Sequence, residues 1–333
     1  MKKLLVLTTV LVLFISSLFA QRVVTVYTDR HYEVDSEIFK MFEQRTGVKV
    51  NVFSANSDQL LQRLALEDKN TPADLLIIVD VGRLHHAKRM NLLQPVNSEY
   101  LMRNIPEKLR DEGNHWFALT KRARIIVYSK KRVNPAEIKT YDDLTNQKWK
   151  GKVLVRSSTH VYNRSLLASF IALYGEEYAR NWAAKVVQNL ARDPSGNDRD
   201  QIRAIAAGIG DIAIVNSYYI GLMMNSKDPD EQAAVREVGV IFPNPTHVNI
   251  TGMGLTRFSK NKEDAIKLME FLLTPEIQRM YAEANFEYPV NPAVKPASLL
   301  VSWGTFVEQN VKLSLVGELS DKAIMIFNQV GWK

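Results

Sequence analysis

Three short polar segments in this 333-residue chain end in tyrosine, and phenol oxygens brought together can perform a kind of chemistry open to few other side chains. The segments are Asp29-Arg30-His31-Tyr32, Ser157-Ser158-Thr159-His160-Val161-Tyr162 and Asn216-Ser217-Tyr218-Tyr219. A phenol with its ordinary pKa near 10 binds only a cation acidic enough to displace its proton. A small, hard, trivalent ion such as Fe³⁺ meets that condition, since oxygen donors suit hard ions whereas imidazole and thiolate suit softer ones. Three or four phenolates match or slightly exceed a +3 charge, so cations are expected close by. Arg122, Arg124 and Arg156 lie in the flanking segments.

The three segments share a layout: a strand-like run ends, a polar loop follows, and an amphipathic helix begins. In open α/β sheets ligands bind beyond the carboxyl ends of strands, so these loops stand where a site is expected. Helix N-termini favour negative charge by about 0.3–1 kcal/mol, which assists a phenol in becoming a phenolate. Most tyrosines in any protein simply pack with the hydroxyl satisfied, and of the twelve here Tyr27, Tyr174 and Tyr178 read that way. Tyr218 and Tyr219 differ. In a strand adjacent rings would point to opposite faces, but at a strand-to-helix corner both hydroxyls can converge, with Asn216 or Ser217 as the expected cap.

Other chemistries find less support. His85 and His86 are adjacent, so on a helix they diverge by about 100°, and no glutamate completes a zinc template; a surface pair is expected. Asp80, Asp142-Asp143 and the Asp228 and Asp230 pair have no second carboxylate placed for acid–base work, and Ser54 and Ser195 lack a nucleophile motif. The absence of cysteine removes disulfides, thiolate metal sites and cysteine nucleophiles. These observations argue against an enzyme.

The positioning elements come from an alternation of short β-branched runs with helical patterns. Val23–Tyr27 precedes a helix over 35–45, Val48–Phe53 precedes one over 57–68, and Leu75–Val79 precedes a third; such repeats predict an α/β fold with parallel sheets covered by helices. The alternation resumes after Gly151. Strands are expected at 153–156, 211–215, 238–242 and 252–256, and helices at 165–174, 201–207, 262–273 and 275–284. With no linker or repeat, the chain reads as two interleaved lobes, the first from 21–120 and 249–298 and the second from 121–248 and 299–333.

At the N-terminus Lys2 and Lys3 precede an uncharged apolar run, Leu4 to Leu18, and Leu18-Phe19-Ala20 stands before Gln21. The run is too short to span a membrane and predicts a cleavable secretory signal over residues 1–20, hence a periplasmic or otherwise extracytoplasmic protein. No cysteine offers a lipid anchor at the cut. Removing the two lysines lowers the formal net charge of +7 by two, and the remaining basic residues are scattered, which argues against nucleic acid as a partner.

The pieces Tyr-x-x-Arg-His-Tyr at 27–32, Leu-Thr-Lys-Arg-Ala-Arg at 119–124, Arg-Ser-Ser at 156–158 with Val-Tyr-Asn at 161–163, and Asn-Ser-Tyr-Tyr at 216–219 occur in order. Over nearly the whole exported part, the chain resembles the periplasmic ferric-ion-binding proteins of ABC iron importers, in particular their tyrosine-rich subgroup. The resemblance implies a type II periplasmic-binding fold, with iron in the interlobe cleft on Tyr32, Tyr162, Tyr218 and Tyr219 and with His31 as a candidate fifth ligand. Arg122, Arg156 and Ser157 stand around the implied site; the tyrosine-rich pattern makes a synergistic anion such as carbonate less necessary, and whether His31 or such an anion completes the coordination stays open at this point. The implied partner is an ABC transporter inner-membrane permease, served by a monomer. The better-known branch of the family uses a histidine, a glutamate, a tyrosine pair and an exogenous anion. Here no glutamate fills that role, and Asp58, the nearest carboxylate, reads as a first-turn helix residue. The rivals are a protein of the same fold for phosphate, sulfate, thiamine or a polyamine, and an extracytoplasmic hydrolase.

Overall fold

A computed structural model describes residues 21–333, so the expected signal segment lies outside the described residues. Among the described residues nine strands form one sheet, seven of them in a single path: β1 (Val23–Thr28), β2 (Lys49–Ser54), β3 (Leu75–Val79), β4 (Phe117–Ser129), β5 (Val153–Leu154), β6 (Ile212–Asn216), β7 (Val238–Ile241), β8 (Val248–Leu255) and β9 (Tyr288–Pro289). The path runs β2-β1-β3-β8-β4-β6-β5, and β7 and β9 lie off it, each pairing with β4. Among the described residues no helix is long and apolar enough to cross a membrane.

The thirteen-residue β4 joins two halves of the sheet. Its first part, up to Ala123, pairs antiparallel with β8, where Ala123 faces Val248. From Arg124, which faces Asn216, it pairs with β6 and then β7. The expectation of parallel sheets therefore holds only in part. β1–β2, β1–β3 and β5–β6 are parallel, but every pairing of β4 and β8 is antiparallel, because one strand carries the chain out of the first half and the other brings it back. Alternating β4 side chains feed different cores: Ile126 joins the larger apolar cluster, and Ile125 and Val127 join the smaller one with Ile202, Val215, Ile220 and Met223.

Local signals terminate the helices that flank the site. Gly47 takes φ +70° and closes the helix Glu33–Thr46, its N–H donating to the Glu43 carbonyl, as glycine can do without a Cβ penalty. Gly175 does the same for the helix Val161–Tyr174 at φ +88°. Helices Leu313–Glu318 and Ser320–Val330 then pack across Val81–Arg89 and Val161–Tyr174. The last residues reach the second tyrosine loop: Ser158 N–H donates to the Lys333 carbonyl at 2.8 Å, and Trp332 Nε1 donates to the Arg156 carbonyl at 3.1 Å.

Candidate metal centre

Each tyrosine loop is set at the start of a helix. Tyr32 is the N-cap residue of Glu33–Thr46 in extended backbone and makes no side-chain cap bond, so its ring is free to project from the turn. His160 caps Val161–Tyr174, its Nδ1 accepting from Tyr162 N–H at 3.3 Å, and Tyr162 occupies the first turn. Tyr218 opens the helix Tyr218–Met224 directly after β6. Of the two expected caps, Ser217 holds the N-cap position, and its carbonyl accepts from Ile220 N–H at 3.1 Å, but neither its side chain nor that of Asn216 makes a cap bond. Ser217 Oγ accepts instead from Ala123 N–H on β4 at 3.3 Å, and Asn216 Oδ1 accepts from Arg124 at 3.3 Å, so both tie the corner to the crossing strand.

The three loops bring four phenols together. Tyr162 and Tyr218 hydroxyls lie 3.2 Å apart, and the rings of Tyr218 and Tyr219 stack at 4.2 Å. Tyr32 lies near enough to Tyr218 and Tyr219 for both to influence its ionisation, and it influences that of Tyr218 in turn. Tyr162 and Tyr218 are buried, while Tyr32 and Tyr219 are half-buried. By contrast Tyr27 donates to Glu67 at 2.9 Å and Tyr178 to Asp142 at 2.6 Å, outside the cluster.

Guanidinium groups surround this cluster. Arg122, Arg156 and Arg124 stand 5.0, 5.2 and 5.6 Å from the Tyr162 ring centre, and Arg30 stands 5.0 Å from that of Tyr32. Each has a carboxylate. Arg30 pairs with Asp35 at 3.0 Å and Glu287 at 3.2 Å, and Arg122 lies 3.7 Å from Asp80. Arg124 and Arg156 share Asp198 at 2.8 and 3.4 Å. The surroundings are thus nearly charge-neutral, and the phenols are the groups left to meet an added cation. Nε and one terminal nitrogen of Arg122, and Nε of Arg156, have no hydrogen-bond partner although buried. Ser157 Oγ contacts Thr159 Oγ1 at 3.0 Å within its own turn.

Burial is the main influence on the phenols. It pushes Tyr32, Tyr162 and Tyr218 well above the ordinary phenol range; Glu287 adds to the rise at Tyr32, Tyr219 at Tyr162, and Tyr162 at Tyr218, against the lowering by Arg30 and Arg122. Without a cation these groups hold their protons. A trivalent ion placed among the four oxygens reverses the balance, because its field favours the phenolate. Among the described residues no group of three or more histidines and carboxylates is arranged to hold a metal.

His31 is exposed, its ring stacked on Tyr32 at 5.1 Å, so it stands at the rim of the cluster. The expectation that His85 and His86 form a surface pair is corrected: the two do diverge, but His85 is buried against Gly317 and only His86 faces outward. Asp58 is an exposed first-turn residue, near Arg83 at 3.5 Å, as expected. Several residues escaped sequence reasoning: Arg30, Glu287, Asp198 and His160. Burial and then Arg156 push the His160 imidazole down to about 2, which keeps it neutral beside Tyr162, whose ring lies 4.3 Å away. Asp198 had a detectable signal as a first-turn acid after the capping residue Asn197, but Glu287 lies in no recognisable motif.

Comparison with known proteins places this arrangement. The family model for bacterial extracellular solute-binding proteins matches residues 70–302. Iron uptake protein A1 of Synechocystis is 42% identical over 317 residues, covering 94% of this chain and 88% of that protein. The structure of the Trichodesmium protein IdiA (FutA) in complex with iron and citrate ligands is 44% identical, with a TM-score of 0.91 over 93% of this chain and 100% of that one. The ferric binding protein from Campylobacter jejuni gives 43% and 0.88 over 93% and 100%. The expected two-lobed, type II periplasmic-binding fold holds, and the chain belongs to the bacterial extracellular solute-binding proteins.

Proposed function

We propose that this chain is an extracytoplasmic binding protein that captures ferric iron between two lobes and delivers it to the permease of an ABC transporter. The observation that carries the reading is the clustering of phenols from three loops: Tyr162 and Tyr218 touch through their hydroxyls, Tyr219 stacks on Tyr218, and both residues of that pair lie close enough to Tyr32 to influence its ionisation. Four phenolates on Fe³⁺ leave a single negative charge. The surrounding arginines, each already near a carboxylate, tolerate that charge without a large excess of either sign. The names of the similar proteins, iron uptake and ferric binding, agree with it.

In this reading the first lobe comprises 21–120 and 249–298 and the second 121–248 and 299–333, a division supported by the change of β4 pairing partners at Ala123 and Arg124. Tyr32, with His31 beside it at the rim as the fifth ligand, comes from the first lobe; Tyr162, Tyr218 and Tyr219 come from the second. Iron bridging them favours closure by the difference in its affinity for the closed and open states. An accompanying anion such as carbonate would be held by Arg122, Arg156 and Ser157; the unpartnered N–H groups of the two arginines support that placement. The chain acts as a monomer after export on a cleaved signal over residues 1–20. Phosphate, sulfate, thiamine and polyamine readings fare worse, because the first two leave the phenols without a role and the last two call for acidic groups that here already face arginines.

Adding ferric salt to the purified protein tests the reading. Tyrosinate–iron coordination is expected to produce a visible charge-transfer band that saturates at one iron per chain; an iron-loaded protein without colour overturns it.

A further inference from the structure

Asp80 follows β3 and is fully buried, and the iron reading uses it only as a counter-charge near Arg122. Its backbone takes φ +85°, a conformation that a residue with a Cβ keeps only where its surroundings over-determine it. The Asp80 N–H donates to the Ile250 carbonyl at 2.9 Å, and the carboxylate gathers the remaining contacts. Oδ1 accepts from Gly82 N–H at 2.9 Å and from Ser165 Oγ at 2.6 Å; Oδ2 accepts from Asn249 Nδ2 at 2.9 Å and lies 3.7 Å from an Arg122 nitrogen. Two of these partners lead to one phenol. Ser165 stands three residues beyond Tyr162 on the same helix and therefore on the same face. Arg122 places its guanidinium over the Tyr162 ring. Asn249 faces Arg122 in the β4–β8 pairing, where the chain crosses between lobes, and its Oδ1 accepts from Val81 N–H at 3.1 Å.

We propose that Asp80 is a positioning residue for Tyr162: a carboxylate of the first lobe that fixes a phenol of the second from two sides, through Ser165 on its helix and Arg122 over its ring. The proposal rests on the iron reading for its functional meaning, but the contact itself is independent of iron. Asp80 thereby links the crossing strands to ligand geometry. Loss of the link leaves the four phenols present but lets Tyr162 drift with its helix, so iron is held less long rather than not at all.

The test uses the full exported chain with Asp80→Asn, Ser165→Ala and the conservative Ser165→Thr. Iron release into excess chelator is followed by the decay of the visible band, and amide exchange of residues 161–165 is followed in ligand-free protein. Asp80→Asn and Ser165→Ala are expected to speed release on the order of ten-fold, the usual effect of losing a charge-assisted hydrogen bond, and to speed the amide exchange, with Ser165→Thr close to wild type. Should Asp80→Asn fail to fold, Ser165→Ala decides alone. Release within about two-fold of wild type overturns the proposal, even if the unfolding midpoint falls, since that pattern marks a purely structural contact. Wild-type protein that takes up no iron sinks the functional reading instead; the exchange then decides the contact, and unchanged protection at 161–165 overturns it.

Discussion

Replacing Tyr218 by Phe removes one ionisable oxygen and keeps the ring that stacks on Tyr219. In the ligand-free protein burial holds the Tyr218 phenol well above its ordinary range, with Tyr162 and Tyr219 adding to the rise, so the group is protonated at neutral pH. Ionising even an ordinary phenol at pH 7 costs about 4 kcal/mol, and that cost falls by about 1.4 kcal/mol for each unit the pH rises. Iron binding through Tyr218 must therefore release its proton, and the variant must release one proton fewer. The ratio of wild-type to variant iron affinity should then increase about ten-fold per pH unit. Competition against one chelator, with both proteins side by side at three pH values near neutrality, measures the ratio while the chelator's own titration cancels. Proton release on loading in weakly buffered solution gives the count directly. A ratio that stays flat with pH, together with equal proton counts, would refute ionisation of Tyr218 on binding and with it the phenolate site.

Three further outcomes follow from the geometry. His31→Ala should weaken iron binding less than loss of any of the four tyrosines, because its exposed ring stands at the rim beside Tyr32; competition titration compares them. Asp198 is fully buried between Arg124 and Arg156 and also accepts from Asn216 N–H at 2.8 Å, so Asp198→Asn strands buried charge. Urea unfolding should show a loss of about 3–5 kcal/mol, and a loss below about 1 kcal/mol would contradict the ion-pair account. Burial, with Arg124 and Arg122 beyond it, pushes the His247 imidazole down to about 3, although its bond with Gln309 works the other way. Between the unfolded value near 6.5 and about 3, the unfolded chain binds a proton that the native one does not. His247 alone should therefore lower stability by about 1.4 kcal/mol for each unit of pH lost in that window, and His247→Gln should flatten the dependence measured by urea unfolding at about pH 7 and about pH 5.

Much of the candidate site was legible before any coordinates, since it depends on local signals. A strand-like run, a polar loop with tyrosine and a helix recur at Tyr32, Tyr162 and Tyr218, although the helix at Tyr162 is buried on nearly all sides where the sequence predicts an amphipathic one, and Gly47 and Gly175 mark helix ends by their lack of a Cβ. Phenol chemistry then narrows the ligand to a hard, highly charged ion, because a group with so high a pKa ionises for nothing weaker. Those inferences need only neighbours in the chain. What the sequence could not decide is anything that depends on partners far apart in it. The antiparallel course of β4 and β8 follows from the return crossing, whereas local periodicity reads the same for either strand direction. Burial of His85 is set by Gly317 on a distant helix, and the side chains of Asn216 and Ser217 bond to β4 instead of to the helix they precede. The carboxylates of Glu287, Asp198 and Asp80 acquire their roles only when folding brings arginines from other segments against them and removes water. In the chain they are ordinary acids; in the dry interior each must have a partner, and that requirement places the charges around the four phenols.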